Sequence, residues 1–397
     1  MKIADLVIVG AGMVGLALAA ALKSSGLQII VIDQADAPNV LTDDPEIRVS
    51  ALNLASERFL TRIDVWPLLQ RKQTFEHMYV WEKDSFGQFA IDADDLNVTH
   101  LGHIVENKAV QLALLESLNS SSVDVITGHA IQSVSENAQG VVLMLDNQQP
   151  IFSQLVVGAD GAQSWLRRHC KMPLASWDYE HTAVVGTVKT SETHQNTARQ
   201  VFTTEGPLAL LPLWNANECS FVWSVPPEKA KLLAEMSPEA FSQQMATAFD
   251  LKLGLISLMS ERQLCPLTAR YARQWVDSRF ILIGDAAHTI HPLAGQGANL
   301  GLMDAAALAE VLTMLIEQDK HIFNTDALKQ FERWRKSEAV KYLAAMESLK
   351  RIYQVSDPIA KLIRGVGMQM TSQLKTVLSP IFDLALGNTG ELPLIAR

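Results

Sequence analysis

The chain has 397 residues, enough for two or three domains and a large core. Hydrophobic residues make up 48% of it and charged residues 19%, the balance of a compact globular protein, slightly apolar for a soluble one. With 33 Lys and Arg against 43 Asp and Glu the formal net charge is -10, which argues against a general nucleic-acid binder, because phosphate contacts need a basic surface.

From the N-terminus, residues 3–9 predict a buried strand, residues 16–24 a helix stopped at Gly26, and residues 28–32 a second strand ending in Asp33. Between the first two lies Gly10-Ala11-Gly12-Met13-Val14-Gly15, the dinucleotide fingerprint in its required setting. Gly10 makes the tight turn, Gly12 lets a pyrophosphate approach, and Gly15 lets the helix pack on the strand. Asp33, about 20 residues further on, is placed to hold a ribose hydroxyl. The uncharged run 6–22 is broken by these glycines and is shorter than a typical span of about 20 residues, so it reads as strand plus helix, not as a membrane span or export signal. The fingerprint itself does not separate NAD from FAD.

Arg48 opens a segment leading to a predicted helix at 53–60, a positive charge where the nucleotide should lie; a solvated surface arginine is the plain alternative. Residues 76–99, with Tyr79, Trp81, Phe86 and Phe89 among polar residues, read as a short β excursion. Residues 102–107 lead into a helix through about Leu118, and 123–126 and 140–145 alternate as strands. Residues 155–158 form another buried strand that ends in Gly158-Ala159-Asp160-Gly161, with Ser164 and Arg167 one helix turn apart. The texture then changes. Segments 183–190 and 220–225 alternate, Pro226-Pro227 marks a break, and 238–249 predicts an amphipathic helix, together a separate sheet covered by helices. Alternation alone offers Phe202, Leu211, Pro212 and Trp223 as pocket residues. Cys170, Cys219 and Cys265 are far apart without disulfide or zinc spacing, so free thiols are expected and no metal site is read.

An apolar run at 279–283 returns to a buried strand and meets Gly284-Asp285-Ala286-Ala287-His288-Thr289-Ile290-His291-Pro292-Leu293-Ala294-Gly295-Gln296-Gly297. Asp285 sits where the strand ends, placed to accept from a ligand hydroxyl, and Gly295 and Gly297 leave the backbone bare enough for a flat ring. A helix from near Ala298 aims unpaired N–H groups and partial positive charge at that ring, which suits a reduced flavin. The last stretch, about 331–397, is helical in pattern with breaks at Pro358 and Pro380. Its apolar residues Ile359, Leu362, Ile363 and Val366 lie beside Lys361 and Arg364, the pattern of a face that meets a membrane, a partner or its own protein.

The GxGxxG, GADG and GDAAHTIHPLAGQG segments, in this order across essentially the whole chain, resemble the FAD-dependent aromatic hydroxylases typified by para-hydroxybenzoate hydroxylase. Within that family the chain looks most like the ubiquinone-biosynthesis hydroxylases, through the segments beginning Arg48-Val49-Ser50, Gly102-His103-Ile104 and His288-Thr289-Ile290. Trp81-Glu82-Lys83 and Trp177-Asp178-Tyr179 point to the 2-polyprenylphenol hydroxylase branch, although sister enzymes acting on later, methoxylated intermediates share most of these residues. The resemblance implies an α/β fold: a discontinuous Rossmann-like FAD-binding domain (1–75, 100–171, 266–340), an inserted β-sheet substrate domain (76–99, 172–265) and a helical C-terminal region (341–397).

Carried over by motif, Gly10, Gly12 and Gly15 would face the FAD pyrophosphate and Asp33 the adenosine ribose. The family usually has Glu there, one methylene longer, so the ribose contact would be less direct. Arg48 would contact the flavin nucleotide, Asp160 and Gly161 would form the GADG site thought also to engage NAD(P)H, and Asp285 would bind the ribityl or pyrophosphate part. Pro292 would lie beside the reactive edge of the flavin, with Gly295, Gln296, Gly297, Ala298 and Asn299 along its pyrimidine side. His288 and His291 are titratable, but structural roles suit them equally. The implied reaction is hydroxylation of a polyprenylphenol ring by O2 through a flavin C4a-hydroperoxide, with NAD(P)H or another donor supplying electrons and no metal. A non-catalytic, flavin-bound scaffold of a biosynthetic complex is the rival reading. The apolar substrate implies a cytoplasmic protein peripheral to the inner membrane, in a ubiquinone-biosynthesis complex or a homo-oligomer.

Overall fold

The computed structural model describes residues 1–397 except 39, 120, 290–296, 355–385 and 388–389. The helices, in chain order, are α1 (Met13–Leu22), α2 (Leu54–Arg62), α3 (Asn107–Leu118), α4 (Trp165–His169), α5 (Pro227–Glu235), α6 (Pro238–Ala248), α7 (Gly297–Glu317) and α8 (Thr325–Gln354).

The first sheet is built on Lys2–Val9, which pairs in parallel with Ile29–Ile32 on one side and Pro150–Gly158 on the other. Asp124–Ile126 and Phe280–Leu282 extend it, also in parallel. Strands this apolar are buried on both faces, as a doubly covered parallel sheet requires. The covering helix α1 is apolar all round because it is enclosed on every side, lying against α3 and α7. The long apolar helix α7 reaches a mean hydropathy of 1.5 for the same reason, and 72% of that window is buried inside the protein. It is a core helix.

The second sheet has nine strands, and its centre is Leu174–Thr190, paired antiparallel with Glu218–Val225 and Gln263–Ala272. His77–Glu82 and Gln88–Asp92 join it through a parallel pairing with Thr197–Thr203, so the predicted β excursion belongs to this sheet. One face is covered by α5 and α6, which bury Phe221, Trp223, Phe241 and Phe249 in a common core.

Three expectations change. The Pro226-Pro227 pair is not a break but the start of α5, because Pro at the first helical position lacks only an N–H that would be unpaired anyway. The substrate unit does not end at 265, since Gln263–Ala272 is one continuous strand and His288–Thr289 adds to its edge; the chain returns to the first sheet at Val276–Asp277. Nor does a boundary fall at 340/341, which lies inside α8. The predicted apolar face around Ile359 to Val366 lies outside the described residues. Beyond it, residues 391–397 return to the first domain: Arg58 donates to Ala396 O (2.9 Å), Trp334 Nε1 to Glu391 O (2.9 Å), and Glu310 accepts from Leu394 N (2.6 Å).

Candidate active site

The two sheets face each other across a cavity of about 720 Å³. On one side lie Gly12, Met13 and Val14 of the fingerprint, residues 46–50, and Ala159, Gly161 and Ala162. The other side is the open face of the second sheet, and Asp285, Thr289, Gly297 and Ala298 close the end.

The fingerprint glycines divide by what surrounds them. At Gly15 an added Cβ would sit 2.0 Å from Gly10 O, so only glycine lets the helix cross the strand this closely. At Gly10, φ +111°, an added Cβ would sit 2.4 Å from Ala159 O, so only glycine lets the first turn lie this close to the GADG loop. Gly12 has nothing within 4 Å of the same position and lines the cavity. It leaves an empty cradle at the start of α1, where unpaired N–H groups and the helix dipole favour an anion. Gly161 and Gly297 are open in the same way. These residues fit the diphosphate and flat ring of FAD.

The predicted acids do more local work than expected. Asp33 accepts from Ala11 N (2.6 Å) and Ala35 N (2.8 Å) and does not line the cavity, so a ribose would share oxygens that already hold the glycine loop. Asp160 turns one oxygen onto Trp165 N and Leu166 N (2.7 and 3.1 Å), capping α4, while its other oxygen is buried without a hydrogen-bond partner among the described residues. The backbone around it, not its side chain, faces the cavity. Arg167 then clamps two motifs, donating to Ala162 O (2.8 Å) and Ala286 O (2.7 Å).

Asp285 is exposed on the cavity wall, yet the surrounding protein displaces enough water to raise its carboxyl above the ordinary aspartate value, an effect that His288, Arg48 and Arg270 partly offset. Arg48 lines the same space. Pro292, Gly295, Gln296 and His291 lie outside the described residues. Asn299, expected beside the flavin, points into the protein: its Oδ1 accepts from Asn53 N (3.0 Å) and Ser56 Oγ (2.8 Å), and its Nδ2 donates to Ala51 O (2.7 Å). It straps the start of α7 to the cap of α2.

A buried ionic knot holds this loop. Asp304 of α7, fully buried, accepts from Gly284 N (3.0 Å) and Arg335 Nε (2.8 Å) and lies 2.6 Å from His288 Nε2. Burial would raise the Asp304 carboxyl, but His288 and Arg335 outweigh it and hold it below the ordinary value. His288 thereby ties the loop to α7. Asp304 and Arg335 were missed in the sequence, where a lone Asp in an alanine-rich helix gives no sign of a partner 31 residues away.

Of the pocket residues expected from alternation, Leu211 lines the cavity. Trp223 is in the opposite phase: Ser220, Val222 and Ser224 face the cavity, whereas Trp223 packs on Phe241 beneath the sheet. A period of two makes a one-residue error in phase a complete reversal of face. Pro212 is reversed likewise beside Leu211, and Phe202 lies beyond cavity-lining Gln200, paired with Pro207 at the hairpin end. Alternation within 220–225 was the signal that could have given Ser220 and Ser224 had Trp223 not been taken to set the phase.

A family model described as an FAD binding domain matches residues 4–339. The chain is 31% identical to 3-demethoxyubiquinol 3-hydroxylase of Escherichia coli, over 96% of this chain and 98% of that protein. It is 32% identical to the mitochondrial ubiquinone biosynthesis monooxygenase COQ6 of Xenopus tropicalis, over 96% of this chain and 93% of that one. Among solved structures, p-nitrophenol 4-monooxygenase PnpA of Pseudomonas putida superposes with a TM-score of 0.81 over 99% of this chain and all of the other, at 17% identity, which shows the shared fold. The chain is thus an FAD-dependent monooxygenase of the aromatic hydroxylase family. It belongs to the branch of that family that holds the ubiquinone-biosynthesis hydroxylases.

Proposed function

We propose that this enzyme hydroxylates the ring of a neutral polyprenylphenol on the route to ubiquinone, with NAD(P)H as electron donor. The observation that carries this reading is the chemistry of the sheet wall. Its lining residues include Val185, Pro207, Ala209, Leu211 and Val222, and its charged lining residue, Arg270, lies at the edge paired with Thr289, near Asp285. A carboxylated phenol would need a cation among the apolar residues; a neutral phenol would not. Ser220 Oγ, on this wall, has no hydrogen-bond partner among the described residues and is suited to hold a phenol hydroxyl.

The Gly12 cradle, Arg48 and Asp285 would hold FAD, which would supply the oxygen-activating chemistry when bound. The protein's own residues position and shield. Ser220, Ser224 and Gln200 orient the ring, the apolar wall keeps water from the reacting face, and the Asp304 knot fixes the loop that carries Asp285. The test is incubation of FAD-loaded enzyme with NADH, labelled O2 and a short-chain prenylphenol. A product with one added labelled oxygen supports the reading. NADH oxidation that prenylphenol does not stimulate and that yields no labelled product counts against it.

One observation favours a second reading: a relative of nearly equal length is named as acting on a demethoxyubiquinol. Turnover of the methoxylated ring in preference to the simple phenol would move the enzyme to that later step. Peripheral membrane contact, a biosynthetic complex and self-association are proposals that follow from the apolar substrate alone.

A further inference from the structure

Outside the cavity, three metal-ligand side chains meet on the far side of α2. Glu57 comes from the first turn of that helix, His103 from the strand Gly102–Glu106, and His100 from the segment just before the strand. One ligand atom of each lies within 4.8 Å of the others. His100 Nε2 is 2.7 Å and His103 Nδ1 3.4 Å from the same oxygen, Glu57 Oε2. None of the three lines the cavity.

The outward nitrogens are already engaged. Thr99 Oγ1 lies 2.8 Å from His100 Nδ1, and Thr74 Oγ1 lies 3.1 Å from His103 Nε2. Outer-shell bonds of this kind orient imidazoles in metal sites, fixing the tautomer so that the inner lone pair is free. His103 is 6% exposed, and its buried Nδ1 faces Glu57 Oε2 at 3.4 Å without another hydrogen-bond partner among the described residues.

We propose that Glu57, His100 and His103 form a binding site for a divalent transition-metal ion, zinc by preference, with water completing the coordination. Two imidazoles and one carboxylate suit a borderline ion held at about 2.0–2.2 Å. Calcium and magnesium require more oxygens. Glu57 and His100 are only partly buried, which leaves a path from solvent. The ion's role is a brace: it ties the first turn of α2, whose cap Asn53 is bonded to Asn299, to the strand behind it.

The experiment is calorimetric titration of chelator-treated, FAD-loaded enzyme with zinc chloride. One equivalent binding is expected, weakened about tenfold or more in His100→Ala and in Thr74→Val. Cobalt(II) on the wild-type enzyme gives visible ligand-field absorption that zinc abolishes, a readout independent of any variant's folding. Absence of the cobalt spectrum, or zinc affinity unchanged in a folded, FAD-retaining His100→Ala enzyme, overturns the site.

Discussion

Replacing Asp304 by Asn keeps its volume and removes its charge. Arg335 and His288, both 2% exposed at the side chain, then face a neutral amide, and the Gly284 N–H loses its strongest acceptor. Removing one partner of a buried ionic pair costs about 3–5 kcal/mol, most of it the penalty of the stranded charge. With an unfolding entropy of about 2.1 cal/mol/K per residue, a 397-residue cooperative unit would melt about 4–6 °C lower. Because Gly284 and His288 flank Asp285, FAD retention should fall along with stability. The assay is differential scanning calorimetry with flavin fluorescence recorded in parallel, on Asp304→Asn, Arg335→Met and the double variant. The reasoning requires strong non-additivity, since the second change removes the charge that the first one strands. Costs that simply add, or an Asp304→Asn cost below about 0.5 kcal/mol, would refute it.

Further outcomes follow from the same geometry. Gly12→Ala should fold normally yet bind FAD weakly, whereas Gly15→Ala, with its Cβ 2.0 Å from Gly10 O, should not yield soluble flavoprotein; circular dichroism and the flavin spectrum separate the two. Ser220→Ala should weaken prenylphenol binding by roughly the 0.5–1.5 kcal/mol of one hydrogen bond, read as a raised KM, with FAD affinity unchanged. Trp223→Ala should instead cost about 3–5 kcal/mol of stability through the cavity it leaves beneath the sheet, measured by chemical denaturation. Burial depresses the pKa of His194, and the contacts of its Nε2 with Leu213 O (2.9 Å) and Asn215 O (3.1 Å) offset this only in part. Its contribution is therefore complete above the ordinary histidine value of about 6.5 and is lost as pH falls below it. A His194→Gln enzyme should show a shallower loss of melting temperature in that acidic range.

How much of this was legible in the sequence depended on whether the signal was local. The strand, glycine turn and helix around Gly10 to Gly15 are dictated by neighbours in the chain, and the structure places them as expected. The same holds for Ser164, whose Oγ accepts from Arg167 N as its spacing implied. What could not be read was where side chains turn. Asn299 and Asp160 sit in the right loops, but their side chains serve Ala51, Asn53 and α4, a choice set by residues far away in sequence. In Glu218–Val225 the more polar face, Ser220, Val222 and Ser224, meets the cavity and the aromatic face meets the helices, so taking the large aromatic as the pocket side reversed the phase and misassigned Trp223. The Glu57–His100–His103 cluster depends on the pairing of Leu52 with His103 across two strands, and no spacing motif announces it.

The most direct test of the central claim is mass spectrometry of quinone-pathway lipids extracted from a strain lacking this gene. The same strain is complemented with the wild-type gene and with its Asp285→Ala variant. Accumulation of a polyprenylphenol that the wild-type gene clears and Asp285→Ala does not is the predicted result. Unchanged ubiquinone with no accumulated phenolic precursor would contradict it.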